Sequence, residues 1–315
     1  MKAHKMSFDK DKLILVKALM ALLIVADHLN FFLDLPWLKP ARELGAPIVS
    51  MFFFISGFGL VRSYQSRGSA YLESFLGRKF LRIVLPALLA LACYYVLLWD
   101  PGRNYPDDWK NLVLYGTPVL PFSWFAEAIV FFYLIYYCSF RFLKGKWKAA
   151  GLLAGTLAWM AATIFAGYDW CWWICSLAFP SGAFFAYKEK EIYAFCEPGP
   201  YRYYALLGVL ALLFTALYLP RNPYVWTLCY ILIPTIVALI VARLPIGRLH
   251  GPVIMFIAGI SYEIYLCHGI PMELFRDRLP IQSPLLFILA VYTLTVLLAF
   301  AVHKLGSLIS SKLCA

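Results

Sequence analysis

The stretch LILVKALMALLIVADHLNFFL, residues 13–33, is apolar over its whole length except for Lys17, Asp27, His28 and Asn30. About 20 such residues span a hydrocarbon core of roughly 30 Å. A charge held there costs at least about 2.5–3.5 kcal/mol on insertion scales, so an ionisable group inside such a run is a functional candidate. The run lacks a small-residue cleavage site and carries internal charges, so it reads as a retained first helix and not a signal peptide.

Nine further runs of comparable character follow, near 47–62, 80–99, 119–139, 149–166, 170–187, 203–219, 224–242, 252–271 and 284–306. The fifth and sixth are separated only by Gly167, Tyr168 and Asp169, which predicts a tight helical hairpin. The chain is 63% hydrophobic and 14% charged, against roughly 45–50% and 25% in soluble domains. That surplus cannot be hidden in one water-soluble core. The pattern predicts an all-α integral membrane protein, a bundle of about ten transmembrane helices forming a single domain over 1–315. No internal repeat of the transporter kind is visible.

Loop charge sets the expected topology. With the N-terminus in the cytoplasm and ten alternating helices, inner segments hold 20 of the 28 Lys and Arg residues and outer segments hold 7, with Lys17 inside a helix. Cytoplasmic loops retain Lys and Arg, so both termini are expected inside. The net charge of +11 has the same origin and calls for no nucleic-acid partner. The eight cysteines show no CxxC pair and no metal spacing; they read as small hydrophobes, and no metal is expected.

The intramembrane ionisable groups are few: Lys17, Asp27 and His28 in the first helix, Glu127 in the fourth, Glu263 and His268 in the ninth. Lys17 and His28 are eleven residues apart, about 20° beyond three full turns, so they share a face roughly 16 Å apart along the axis. The topology sets Lys17 in the inner half and brings His28, Glu127 and His268 to similar depth in the outer half. For a lone histidine the plainer role is a helix–helix hydrogen bond. Asp27 projects about 100° round the helix from His28 and is not expected to orient its ring, which leaves Glu127 as the expected partner. On the inner side Arg78, Lys79 and Arg82 precede Pro86. Such clusters hold phosphates, or simply anchor a cytoplasmic loop.

Five segments in order resemble the acyltransferase-3 family of multi-pass membrane acyltransferases. They are Lys17 and His28 with ten residues between them; Phe53-Phe54-Ile55-Ser56-Gly57-Phe58; Lys79-Phe80-Leu81-Arg82 with Pro86; Trp124-Phe125-Ala126-Glu127 with Phe132-Tyr133; and Ser261-Tyr262-Glu263-Ile264-Tyr265-Leu266-Cys267-His268. The resemblance runs from the first helix to the ninth. The family usually has Arg where this chain has Lys17 and Lys79, which keeps the charge and loses the bidentate fork. The chain is similar to the short, stand-alone members that act on exopolysaccharide or cell-envelope glycans.

The resemblance implies O-acetylation in polysaccharide biosynthesis, in a bacterial plasma membrane and alongside polysaccharide-synthesis machinery. The donor would be a cytoplasmic acyl-CoA, acetyl-CoA by family habit, and the acceptor a carbohydrate hydroxyl. Catalysis would rest on His28, Glu127 and His268. Lys17, Arg78, Lys79 and Arg82 would bind the donor, its pantetheine arm rising through a channel past Lys17 toward His28. Ser56, Trp124 and Tyr262 would contact substrate. His28 would act as general base or carry the acyl group. Two other classes stay open at this stage: a glycan-precursor transporter or flippase, and a non-catalytic subunit of a synthesis complex.

Overall fold

The computed structural model describes residues 6–245 and 251–313. Lys2, Lys5 and Arg248, three of the inner-side charges, lie outside the described residues. No strand occurs among them. The main helices are α1 (Lys10–Leu29), α2 (Gly45–Arg67), α3 (Phe75–Leu97), α4 (Tyr105–Tyr115), α5 (Trp124–Phe142) and α6 (Trp147–Phe165). They continue as α7 (Ala178–Cys196), α8 (Pro200–Tyr218), α9 (Pro223–Arg243), α10 (Pro252–Gly259), α11 (Ser261–Arg278) and α12 (Pro284–Leu313).

Seven of these are long and apolar enough to cross a membrane, or eight when α10 and α11, bent by 57°, count as one span. The other two expected spans, α1 and α7, are helical but more polar. Lys10, Asp11, Lys12, Lys17 and Asp27 fall on α1, and Lys188 to Glu191 on α7. Two boundaries also differ from the sequence expectation. The fourth span begins at Trp124, not near 119, because Pro121 is followed by Phe122 in the left-handed region, φ 63°. Glu127 is therefore in the first turn of α5. The sixth run is broken between Cys171–Ile174 and α7. Pro180 sits in the first turn of α7, where a missing N–H leaves no helical bond unmade.

The chain forms two compact units. The first comprises the described residues of Met1–Val16, Ala46–Glu73 and Leu134–Gly251. Its helices α2 and α7 meet backbone to backbone at two glycines. A Cβ added to Gly57 would lie 2.0 Å from the Phe179 carbonyl oxygen, and one added to Gly182 would lie 2.0 Å from that of Phe54. Small residues allow such approach in helices of membrane proteins, where lipid gives no hydrophobic push between them. Lys12, expected as a loop charge, is buried instead; its ammonium donates to the Ala242 carbonyl at 2.7 Å and the Ser7 carbonyl at 3.0 Å. A cation there complements the negative end of α9.

The second unit comprises the described residues of Lys17–Gly45, Ser74–Tyr133 and Pro252–Ala315. Here α11 packs on α3 and α12, and α12 on α3. Ala90, Tyr94, Leu98, Leu266, Ile270 and Val302 form its apolar core. The residues 251–273 that close this core also carry the polar groups described below.

The contact between α2 and α7 sets a stability test. Gly182→Val forces the two backbones apart and should cost about 1–3 kcal/mol, the usual range for overpacking. A lowered thermal midpoint in detergent checks it; Ser69→Val, outside both helices, should leave that midpoint unchanged.

Candidate active site

The segment Ser261–His268 builds the centre of the second unit through three side chains. Tyr262 donates its hydroxyl to the Ile83 carbonyl at 3.1 Å. That carbonyl lies in a wide turn of α3, Phe80–Val84, where Leu85 N–H reaches back five residues to the Phe80 carbonyl. Pro86 follows, and its missing N–H cannot serve the Arg82 carbonyl four residues earlier. Widened turns of this kind gather at functional sites. Tyr265 donates its hydroxyl to the Phe122 carbonyl at 2.5 Å and accepts the Phe125 N–H at 3.3 Å. It thereby holds the irregular chain that leads into α5.

His268 is fully buried, and its Nδ1 lies 2.6 Å from the Tyr265 carbonyl. Its Nε2 lies 2.7 Å from Nδ1 of His28. The two rings are nearly parallel, and Phe122 stacks against both, 4.2 Å from His28 at 15° and 5.7 Å from His268 at 23°. Gly269 permits the packing, since a Cβ there would fall 2.6 Å from Cβ of Pro121.

Proton positions follow from the partners. A carbonyl accepts only, so Nδ1 of His268 carries hydrogen. In the neutral ring Nε2 of His268 is then an acceptor, and Nδ1 of His28 donates to it. This leaves a lone pair on Nε2 of His28. His28 is buried, 8% exposed, and this nitrogen is the outer end of the chain of bonds.

Asp27 approaches that nitrogen. Its Oδ2 lies 3.6 Å from Nε2 of His28, and its Oδ1 accepts the Gly45 N–H at 2.9 Å. Gly45 opens α2, and a Cβ there would lie 2.7 Å from Oδ2 of Asp27. The carboxylate is thus seated on the positive end of a helix. The expected geometry is corrected here. His268 bonds His28, Asp27 stands beside it, and Glu127 bonds elsewhere. Glu127 Oε1 accepts the Ser123 hydroxyl at 2.8 Å, while its buried Oε2 has no hydrogen-bond partner. Glu127 lines a cavity of about 160 Å³ with Ser123, Ile83, Val84 and Leu266. Neither Lys17 nor His28 lines that cavity.

The basic groups assemble near the widened turn. Half-buried Lys17 lies within electrostatic reach of Lys79 and Arg82. The Lys79 ammonium stands 4.3 Å from the centre of the Tyr133 ring. Arg78 donates to the Ser74 hydroxyl. Half-buried Lys17 thus feels the like charges of Lys79 and exposed Arg82, and an anion there would lower its charging cost.

A base with its free nitrogen beside a carboxylate, and a cluster of cations on the same unit, is a site for group transfer. The model of the acyltransferase-3 family, an acyltransferase domain, matches residues 10–304.

The chain belongs to the acyltransferase-3 family.

No curated protein and no solved structure matches it. With the apolar helices, membership makes the chain a multi-pass membrane acyltransferase.

In this acyltransferase, seven of the ten residues singled out in the sequence lie on the second unit around the histidine pair or the cation cluster: His28, His268, Lys17, Arg78, Lys79, Arg82 and Tyr262. Glu127 and Trp124 lie in the first turn of α5 in that unit. Ser56 sits on α2 in the first unit. Sequence reasoning passed over His303, whose Nδ1 lies 2.9 Å from Oε1 of Glu263. His303 lies within the last apolar run, so the rule that singled out His268 could have found it.

Tyr265 ties the Phe122 turn to the histidine pair, so Tyr265→Phe removes the hydroxyl while keeping the ring. Loss of a net bond of about 0.5–1.5 kcal/mol should lower kcat of acyl transfer roughly threefold to tenfold. Steady-state kinetics in detergent or nanodiscs measures it.

Proposed function

We propose that this acyltransferase moves an acetyl or similar short acyl group from cytoplasmic acyl-CoA to a carbohydrate hydroxyl of an exopolysaccharide or cell-envelope glycan. It would do so in the bacterial plasma membrane, crossing ten times with both termini inside, in company with polysaccharide-synthesis machinery. The observation that carries the chemistry is the bonding of His28 Nδ1 to His268, which leaves the lone pair on Nε2, 3.6 Å from a carboxylate.

The acceptor O–H gives its proton to Nε2 of His28 as its oxygen bonds to the thioester carbonyl carbon. The tetrahedral intermediate then releases coenzyme A by breaking the C–S bond. The departing thiolate takes the proton back from the imidazolium. Ester and free thiol result, and His28 returns to its neutral form. While His28 is charged, Asp27 stabilises it across a short gap in a medium of low dielectric constant. His268 holds the ring by accepting from Nδ1, so the proton can arrive only at Nε2. A backbone-anchored dyad of this kind makes His268 and Tyr265 positioning groups.

Lys17, Lys79 and Arg82, with Arg78 alongside, would hold the donor phosphates. Support for this comes from the positive field that Lys79 and Arg82 set at half-buried Lys17, which suits a polyanion. The lysines at 17 and 79 offer point charges, which suit phosphate without fixing its plane. Glu127, apart from the histidines, lines the cavity beside Leu266 and the widened turn of α3; there its unpaired oxygen can accept from a substrate hydroxyl or amide.

The test is transfer of radiolabelled acetyl from acetyl-CoA to envelope carbohydrate. His28→Ala should lower kcat about 10²–10⁴-fold, the span of general-base catalysis, with unchanged yield and thermal midpoint. Asp27→Asn keeps an acceptor for Gly45 N–H and removes only the charge. It should lower kcat about tenfold, a loss near 1.4 kcal/mol, with KM for acetyl-CoA unchanged. Lys17→Met should do the reverse, raising that KM with little change in kcat. Wild-type kcat in His28→Ala contradicts the mechanism.

A further inference from the structure

A second polar group lies on the same unit, where the end of α3, the start of α4 and the far part of α11 meet. Arg103 is its centre. It donates from Nε and Nη2 to Oδ1 of Asp108 at 3.2 and 3.0 Å, and from Nη1 to the Tyr94 hydroxyl at 2.6 Å. That bidentate bond consumes one oxygen of Asp108. The other, Oδ2, is buried without a hydrogen-bond partner, and the buried Tyr95 hydroxyl lies within reach of the Trp109 indole. Asp108 and Tyr95 feel one another electrostatically. An unpaired buried polar atom costs about 1–3 kcal/mol. Here a buried lone acceptor stands beside an arginine that has used three of its five N–H donors.

Flat apolar surface adjoins them. The Trp99 indole stacks on the Tyr105 ring at 4.9 Å and 16°, and Tyr95 packs edge-on against Tyr105 at 4.9 Å. Trp99 is nonetheless 60% exposed. Charges around the group nearly cancel: Arg103, Arg276 and Arg278 face Asp100, Asp108, Glu273 and Asp277. Three cations against four carboxylates leave one negative charge, which disfavours a polyanion. An exposed indole beside a buried acceptor, with one net negative charge, suits a neutral sugar ring better than an anionic one. The C–H face of a pyranose lies on the indole, and its hydroxyls pair with the carboxylate and the phenol.

The group is linked to the reacting nitrogen. Glu273 follows His268 by five residues on α11, about 7–8 Å along the axis. The Arg276 guanidinium lies 4.9 Å over the Phe32 ring, and Phe32 packs edge-on against Phe122, the ring stacked on His28.

We propose that Tyr95, Trp99, Arg103, Tyr105, Asp108 and Glu273 form a subsite for a neutral pyranose of the acceptor, adjoining the unit's histidine pair. This rests on the carbohydrate acceptor inferred above. It makes the acceptor a polymer or oligomer with a neutral sugar next to the one acylated.

The experiment uses the full chain in nanodiscs and biotinylated neutral carbohydrate from the producing cells' envelope. Binding on a sensor surface and transfer of labelled acetyl from acetyl-CoA are read in parallel. Trp99→Ala, at an exposed position, should weaken carbohydrate binding about tenfold, as large aromatic anchors do, and raise acceptor KM in proportion. KM for acetyl-CoA should not move. Asp108→Asn should weaken binding less, and Trp147→Ala, an exposed tryptophan on the other unit, should have no effect. Equal affinity and equal acceptor KM in wild type and Trp99→Ala overturn the subsite, as does a wild type that fails to bind. Carbohydrate binding that needs Trp99 but is accompanied by no acetyl transfer supports the subsite and overturns the acetyl-CoA donor instead.

Discussion

A backbone carbonyl can accept a hydrogen bond and never donate one, and the chemistry of this site descends from that. The Tyr265 carbonyl takes the proton of His268 Nδ1. The order of protons then runs outward through two imidazoles to a lone pair on His28. Remove the carbonyl's fixed role and either ring could carry hydrogen on either nitrogen. The same tyrosine uses its hydroxyl to hold the Phe122 turn, and that turn supplies the ring stacked on His28. One residue therefore fixes the tautomer and the orientation of the proposed base.

Asp27 complements this arrangement. A carboxylate so close to imidazole inside a membrane protein is costly unless something holds it. Gly45, at the start of α2, does so with its N–H and the positive end of its helix. Its lack of a side chain is what lets the carboxylate come near. The charge that stabilises imidazolium is thus maintained by backbone, as the tautomer is.

Depth was readable in the sequence and direction was not. Rise per residue is fixed at about 1.5 Å, so counting from loop charges put His28 and His268 at one level, and they bond. Which groups face each other depends on where helices start and on how side chains turn at helix ends. Phe122, with positive φ after Pro121, delays α5 and moves Glu127 into its first turn, onto Ser123. Asp27 is sequence-adjacent to His28 and was expected to diverge from it. It lies in the last turn of α1, where its carboxylate turns toward Gly45 and so comes beside the ring. The helical content of the apolar runs was legible because apolar length alone decides it. The breaks at Ile260 and before α7 were not, since apolar length does not register them. Among the spans, α1 and α7 carry the charges that composition counts against crossing, and on α1 those include Lys17 and Asp27.

The central claim concerns a single proton, and nitrogen NMR reads it directly. The chain has five histidines. In protein labelled with ¹⁵N at histidine, held near neutral pH in bilayers, the His28 signal is assigned by its loss in His28→Gln. The account predicts a protonated Nδ1 and an unprotonated Nε2 for His28, with Nδ1 of His268 also protonated. Hydrogen on Nε2 of His28 in the resting protein, with Nδ1 bare, would contradict it.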